Sequence, residues 1–142
     1  MLFKLNNIIL EIKNLKTSFK INGQYYAAVD DVSLNVNRNE VLAIVGESGC
    51  GKSALAFSIT GLHTRAKIDG DIIFKGKNIS NLDHNQMNQL RGKEIGMVFQ
   101  DPLKALNPLM TIGNQIEETI LLHNNSLTKK QRRERVIDLL KK

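Results

Sequence analysis

The 142-residue sequence predicts an α/β fold in which an antiparallel β-layer is followed by part of a parallel sheet with helices. Three observations predict this fold. Strand-like patterns occupy the first 40 residues, short apolar runs stand at 41–45 and 94–99, and helical patterns follow both runs. Apolar runs of this length are typical of parallel strands that are buried on both faces.

Two segments near the start of the chain form the predicted β-layer. "IILEIKNL" (8–15) and "VSLNV" (32–36) alternate or run apolar, as strands do. "INGQ" (21–24) is a turn signal between them. We therefore expect antiparallel strands ahead of the first apolar run.

The first apolar run, "VLAIV" (41–45), is rich in β-branched residues and predicts a buried parallel strand. It leads into "GESGCGKS" (46–53), which fits the spacing G-x-x-x-x-G-K-[ST], and "ALAFSITGL" then favours a helix. A loop that wraps a polyphosphate turns its backbone N–H groups inward through conformations that a Cβ obstructs, and glycine permits them. The order of strand, loop and helix therefore predicts a phosphate-binding P-loop.

Individual side chains of the loop have separate predicted roles. Lys52 would supply positive charge to the β- and γ-phosphates, and the Ser53 hydroxyl would ligate Mg²⁺. The positive end of the helix dipole would face the same phosphates. Cys50, the only cysteine, occupies a variable position, where we expect a small side chain without a catalytic role. A single cysteine also excludes an internal disulfide framework and suits a reducing compartment.

Three more elements are predicted before residue 100. "GDIIFKG" (70–76) lies between glycines and predicts a strand. "LDHNQMNQLRG" (82–92) predicts a short helix with Asp83 near its start. "EIGMVF" (94–99) is the second predicted buried strand.

The remainder of the chain is predicted to be a loop followed by two helices. Pro102 and Pro108 confine residues 100–108 mostly to loop. A helix from about Thr111 to His123 follows, with one side formed by Ile112, Ile116, Ile120 and Leu121. Thr128 can cap a last helix, whose short apolar face would hold Val136, Ile137, Leu139 and Leu140.

Composition and charge narrow the class of protein. No run approaches the roughly 18 apolar residues that a membrane span needs, and no signal-peptide pattern is visible. The formal charge is +6, and residues 129–142 hold seven basic and two acidic side chains, which leaves +1 for residues 1–128. Since no aromatic residues interleave with these charges, we interpret the segment as a solvated helix face and expect no nucleic-acid partner.

Taken together, the β-layer, the P-loop and "MVFQDP" (97–102) resemble the front half of an ABC-transporter ATP-binding subunit, which is a P-loop NTPase. "FQDPLKALNPLMTIGNQI" (99–116) is similar to the oligopeptide, dipeptide and nickel import ATPases. In that family a serine precedes the Leu-Asn-Pro segment, whereas this chain has Ala105 before Leu106. The resemblance covers residues 8–142.

The resemblance implies ATP and Mg²⁺ as cofactors. It places the nucleotide on Gly46, Glu47, Ser48, Gly49, Cys50, Gly51, Lys52, Ser53 and Ala54. It also implies that Ser53 and Gln100 share Mg²⁺, and that Gln100, as a catalytic residue, lies in a loop contacting the membrane subunit. The alternative for Gln100 is a polar residue that merely ends a strand.

An aromatic residue stacks on the adenine in this family. Phe19 is the best-aligned candidate, and Tyr25 and Tyr26 are alternatives. Stacking on an aromatic face contributes roughly 1–3 kcal/mol per base. Simple packing of Phe19 within the β-layer is the competing interpretation.

The sequence also departs from the family pattern. Asn39 stands where a glycine usually precedes the glutamate, so this turn should be less relaxed. No Leu-Ser-Gly-Gly-like signature, no apolar strand ending in Asp-Glu and no histidine following such a strand occur after the P-loop. We therefore expect residues 1–142 to be the N-terminal part of one ABC-type ATP-binding domain, poorly soluble and without ATP hydrolysis on its own.

The implied function is that of an ATP-binding subunit, here incomplete, of an importer for oligopeptides, dipeptides or nickel. Its implied partners are transmembrane permease subunits and a homologous ATP-binding subunit in a head-to-tail dimer. Its implied location is peripheral, at the cytoplasmic face of the cell membrane. The alternative is a nucleotide-binding fragment without hydrolysis or transport activity.

Overall fold

The computed structural model describes residues 7–124 and 126–142, with the backbone alone at Lys104. The chain divides into two compact units, one up to Met87 and one from Asn88 onward. Across the described ranges, no helix combines the length and apolar character that crossing a bilayer requires.

The first unit contains a four-stranded antiparallel sheet, which confirms the predicted β-layer. Its strands stand in the order β2-β1-β3-β4 and comprise β1 (Ile8–Ile21), β2 (Gln24–Asn37), β3 (Ala66–Phe74) and β4 (Lys77–Asn78). The first two strands are longer than predicted because Asn22 and Gly23 adopt φ of 50° and 86°. This two-residue turn lets pairing continue to Ile21 and Gln24.

Three neighbouring strands carry left-handed residues where the strand registers shift, and register shifts of this kind bend a strand. Asn14, Asp31 and Gly70 have φ of 47°, 52° and 94°. The registers of β1 with β2 and with β3 both shift near Asn14, and the Asn14 side-chain amide donates to Asp31 Oδ1 over 2.8 Å. A Cβ on Gly70 would overlap the carbonyl oxygen of Asn14. Glycine is therefore required at this bend.

Helix α1 (Lys52–Ile59) is fixed to β1 by a buried pair of hydroxyls. Thr17 Oγ1 and Ser58 Oγ lie 2.7 Å apart. Since Ser58 donates its proton to the Ala54 carbonyl at 2.8 Å, Thr17 is the donor to Ser58. Among the described residues of this unit, the buried apolar side chains are those of Ile12, Leu15, Val29, Leu55, Ile72, Ile79 and Met87.

A second short helix closes this part of the chain. Helix α2 (His84–Leu90) begins after Asp83, whose carboxylate accepts from the Gln86 N–H at 2.8 Å. The Gln86 side chain accepts in return from the Asp83 N–H at 3.1 Å. The predicted start near Asp83 is confirmed, and the capping pair explains it.

The second unit contains a 3₁₀ turn (Pro102–Ala105) and the helices α3 (Ile112–His123) and α4 (Lys129–Leu140). Thr111 and Thr128 cap the two helices, and Thr128 forms a capping box with Gln131. The helices are joined by an ion pair in which Arg132 Nε lies 3.2 Å from Glu117 Oε1, both side chains being largely buried. On α4 only Val136 of the predicted apolar face is buried; Ile137, Leu139 and Leu140 are exposed.

The prediction of buried parallel strands at 41–45 and 94–99 is wrong for the described structure. Neither segment forms a strand, apart from a single bridge between Arg91 and Ile95. Val41, Val45 and Val98 are 95%, 87% and 88% exposed. A parallel strand needs neighbours on its sides and cover on its faces. Among the described residues, the strands of the sheet pair with each other and not with these runs.

Candidate functional site

The glycine-rich segment 46–53 forms a loop that enters the first turn of α1. Gly49 and Gly51 have φ of 84° and 97°, in the left-handed region that glycine favours. A Cβ on Gly51 would overlap the carbonyl oxygen of Ala28 in β2. The loop thus packs directly on the backbone of the β-layer, and a larger residue at Gly51 would separate them.

Lys52 folds back over this loop. Its ammonium donates to the carbonyl oxygens of Gly46 and Glu47 over 2.8 and 2.6 Å, and lies 3.4 Å from Cys50 Sγ. Three donors on one ammonium allow it to bridge both carbonyls. The lysine therefore closes the loop on itself and holds a positive charge there.

The start of α1 adds further donors to the same place. Gly51 is the N-cap and supplies no side-chain cap, and the first turn contains no acidic residue. The first N–H groups of a helix have no partner within the helix, and the helix dipole makes this end positive. Loop glycines, ammonium and helix end together suit a bound polyphosphate.

Ser53 lies exposed in this first turn. Mg²⁺ prefers oxygen ligands and is commonly held by one or two protein groups together with substrate phosphates. The described residues contain no group of three or more His, Cys, Asp or Glu that could hold a metal. The hydroxyl of Ser53 fits a shared metal of this kind.

The other predicted loop residues differ in exposure. Glu47, Ser48 and Cys50 are exposed, and the Cys50 N–H donates to the Glu47 carbonyl over 3.3 Å. A Cβ on Gly46 would meet Cys50 Sγ at 2.8 Å. Ala54 is half-buried. The structure thus brings residues 46–54 together as one continuous loop and helix start.

Phe19 contacts a histidine that sequence reasoning missed. Its ring lies edge-on to His63 with centroids 5.1 Å apart, and Phe57 meets the same imidazole at 5.7 Å. His63 Nε2 donates to the Ala54 carbonyl over 2.9 Å, since a carbonyl can only accept. Phe19 is half-buried by this packing, whereas Tyr25 and Tyr26 are exposed. Stacking of Phe19 on adenine stays a prediction.

Gln100 belongs to the second unit, whereas the P-loop belongs to the first. It lies exposed at a bend directly before the 3₁₀ turn. The expected sharing of Mg²⁺ between Gln100 and Ser53 therefore stays a prediction.

The backbone conformation at Asn39 explains why the family pattern has a glycine at this position. It has a φ of 61°, in the left-handed region, within the turn that follows β2. Asparagine tolerates this region better than most side chains do. Glu40 supports the turn by accepting from the Asn37 side-chain amide over 2.9 Å.

Comparison with known proteins agrees with this arrangement. The family model of the ABC transporter matches residues 29–142. The chain is similar to the oligopeptide transport ATP-binding protein OppD of Lactococcus lactis subsp. cremoris, with 45% identity over 118 residues, or 82% of this chain and 35% of that protein. It is also 42% identical over 135 residues to the dipeptide transport ATP-binding protein DppD of Bacillus subtilis, covering 93% of this chain and 40% of that protein.

Solved structures show the same fold. An ATP-binding cassette, solved as a dimer in a post-hydrolysis state bound to ADP and Pi, superposes with a TM-score of 0.80 at 28% identity, over 93% of this chain and 56% of that one. A component of the cbiONQ ABC transporter complex of Clostridium perfringens superposes with a TM-score of 0.68 at 26% identity, over 96% and 50%.

The described fold covers only part of these proteins. The chain spans 40% of the length of the first curated relatives it matches. The family match nevertheless extends over most of the chain and includes the whole P-loop. The chain therefore belongs to the ABC transporter family.

Proposed function

We propose that this chain forms part of the ATP-binding subunit of an importer, in which ATP binding and hydrolysis drive uptake of oligopeptides or dipeptides. The P-loop carries the proposal, because Gly51 packs on the Ala28 carbonyl while Lys52 holds the loop closed beside the open first turn of α1. The relatives named for peptide transport favour peptides over nickel as cargo.

Each loop residue has a defined task in this proposal. Backbone N–H groups of residues 46–54 would surround the phosphates of ATP, and Lys52 would move its ammonium from the loop carbonyls to the phosphates. Ser53 and Gln100 would hold Mg²⁺, which supplies charge neutralisation at the phosphates when bound. In this exchange the phosphate oxygens would replace the Gly46 and Glu47 carbonyls as acceptors for the ammonium.

The proposed partners are two kinds of subunit. Transmembrane permease subunits would receive the signal of the bound nucleotide through the loop that begins at Gln100. A homologous ATP-binding subunit would form a head-to-tail dimer with this one, and the dimeric cassette among the structural relatives supports this. The assembly would lie peripherally at the cytoplasmic face of the cell membrane.

The test compares Lys52→Ala with Cys50→Ser in the complete subunit, using a fluorescent ATP titration with Mg²⁺. We expect Lys52→Ala to abolish ATP binding, because the ammonium is the loop's own positive charge. Cys50→Ser should leave binding nearly intact, since the position contributes mainly its backbone N–H. Equal losses in both variants would refute the proposal.

A second test separates hydrolysis from binding. Gln100→Ala should retain ATP binding, but ATPase activity measured with the membrane subunits should fall. The same assay without the membrane subunits provides the control. If the full assembly binds ATP yet never hydrolyses it, the chain is a nucleotide-binding module without turnover.

A further inference from the structure

His63 lies in the connection between α1 and β3, and its imidazole contacts two phenylalanine rings. The Phe19 ring meets it edge-on, with centroids 5.1 Å apart and the ring planes at 80°. The Phe57 ring of α1 meets it at 5.7 Å and 78°. Perpendicular ring pairs at these distances are favourable beyond the burial of their surface. The imidazole is therefore held by both rings, and it limits the orientations open to the Phe19 ring.

The same imidazole is anchored to the start of α1. His63 Nε2 donates to the Ala54 carbonyl over 2.9 Å. This carbonyl also accepts from Ser58 Oγ at 2.8 Å, and Ser58 Oγ lies 2.7 Å from Thr17 Oγ1 of β1. Two side-chain routes therefore lead from β1 to Ala54, one through a pair of hydroxyls and the other through the imidazole.

The backbone of Phe19 is fixed on both sides by the sheet. It pairs with Tyr26 of β2 and with Ala66 of β3. Rotation about its side-chain torsions is the freedom that remains, and His63 restricts it. The ring is only half-buried, so part of it stays accessible. A ring that is held in one orientation before a ligand arrives loses less conformational entropy on binding.

We propose that His63 is a positioning residue, which holds the Phe19 ring in the orientation that stacks on the base of the nucleotide and ties that ring to the start of α1. The inference rests on the proposed function, in which residues 46–54 bind the phosphates, and on the predicted stacking of Phe19 on adenine. One imidazole then contacts both the ring for the base and the helix turn beside the phosphates. All of these residues lie in the first compact unit.

The proposal distinguishes the two ends of the nucleotide. The ring contact supports the base, whereas backbone N–H groups and the Lys52 ammonium meet the phosphates. Removal of the imidazole should therefore weaken binding of ATP but not of tripolyphosphate, which has phosphates and no base. A general disturbance of α1 would weaken binding of both ligands, since the phosphates bind at its N-terminus.

The test measures the affinity of the complete subunit for ATP by calorimetry, and for tripolyphosphate by competition with a fluorescent ATP analogue, both with Mg²⁺. His63→Ala, Phe19→Leu and the double variant form a double-mutant cycle. His63→Gln is a second variant, whose amide can still donate to the Ala54 carbonyl but which lacks the ring. Thr64→Ala is the matched control, because Thr64 is exposed and adjacent to His63 on the same connection.

We expect His63→Ala and His63→Gln to weaken ATP binding about two- to tenfold, as the loss of one aromatic contact implies. Phe19→Leu should weaken it about tenfold or more, because stacking on the base is lost. In the double variant, removal of the imidazole should add nothing to the effect of Phe19→Leu. Tripolyphosphate affinity and the Thr64→Ala control should be unchanged. Since His63→Gln keeps the anchor to α1, a folding defect of His63→Ala leaves the test decisive.

Several outcomes would overturn the inference while leaving the proposed function standing. One is normal ATP affinity in both His63 variants. Another is an equal loss of ATP and tripolyphosphate binding, which would mean that His63 only packs α1 against the sheet. Full additivity of the His63 and Phe19 substitutions, or normal ATP affinity in Phe19→Leu, would overturn it as well. A subunit that binds neither ligand would instead contradict the proposed function itself.

Discussion

Strand β1 and the segment 41–45 lie in the same unit, but only β1 forms a strand. β1 mixes apolar residues with lysines, asparagine and glutamate, yet it is paired on both sides and buries Leu15 completely. The segment 41–45 is apolar throughout, yet it is unpaired, and Val41 is 95% exposed. The more strand-like composition thus belongs to the segment that is not a strand.

The difference teaches that available partners decide strand formation. The turn at Asn22 and Gly23 returns β2 to one side of β1, and β3 covers the other side. The segment 41–45 instead joins the turn at Asn39 to the P-loop, and no described strand pairs with it. Apolar side chains favour burial of a segment, but a strand forms only where a neighbouring strand accepts and donates its backbone hydrogen bonds.

The largest expected effect comes from removing matched apolar side chains in the two regions. Leu15→Ala should lower the free energy of unfolding by about 2–5 kcal/mol, because it leaves a cavity in the core. Val41→Ala should change it by less than about 0.5 kcal/mol, as exposed substitutions do. Urea denaturation measures both. A large loss in Val41→Ala would show that the segment is buried in solution.

A second pair of variants examines the bend of the sheet. Gly70→Ala should destabilise by about 2–3 kcal/mol, because its Cβ would overlap the Asn14 carbonyl at a left-handed backbone position. Gly76→Ala has a similar φ of 78° but open space, so about 1 kcal/mol is expected. Thermal unfolding followed by circular dichroism compares them. Equal effects would mean that the bend relaxes readily.

The junction between the two regions is expected to respond more weakly. Asn39→Ala should cost about 1 kcal/mol, because alanine is poorer in the left-handed region. Asn39→Gly should differ from the natural protein by less than about 0.5 kcal/mol, since relief of strain offsets added chain entropy. Chemical denaturation of both variants is the measurement. If Asn39→Ala left the free energy of unfolding unchanged, the turn would adopt a different shape in solution.

The smallest effect concerns the surface of the β-layer. A hydrogen bond from Lys16 to Asp30, reinforced by the charge of Asp30, raises the pKa of Lys16 above its ordinary value of 10.5. A raised folded-state pKa stabilises the protein below pH 10.5, and the contribution is lost as pH rises through the folded value. NMR titration of Asp30→Asn should show the Lys16 pKa falling toward 10.5, with little change in stability because the pair is exposed.

Local signals in the sequence predicted the parts that local chemistry determines. The hairpin turn, the helix starts near Asp83 and Thr111 and the cap at Thr128 each depend on residues within a few positions. The glycines of the P-loop are of the same kind. Their φ angles are where a short motif requires them to be.

The missed features depend on distant residues. Three of these features join separate elements of the fold. Gly51 packs on the Ala28 carbonyl, and the His63 imidazole contacts the rings of Phe19 and Phe57. The Gln115 side chain accepts a hydrogen bond from the Asn107 N–H. The absent strands at 41–45 and 94–99 fail for the same reason. The sequence pattern of a segment indicates which secondary structure it favours. Whether that structure forms depends on whether the rest of the fold supplies partners for it.

The hairpin of β1 and β2 has a consequence for the order of events during synthesis. Its partners are adjacent in the chain, and hairpins form within about 1–10 μs. Ribosomes add only about 5–20 residues each second. Once residues 8–37 leave the exit tunnel, the hairpin can therefore form before the P-loop has emerged. The P-loop would then emerge beside a hairpin that is already formed, and Gly51 could pack on the Ala28 carbonyl of that hairpin.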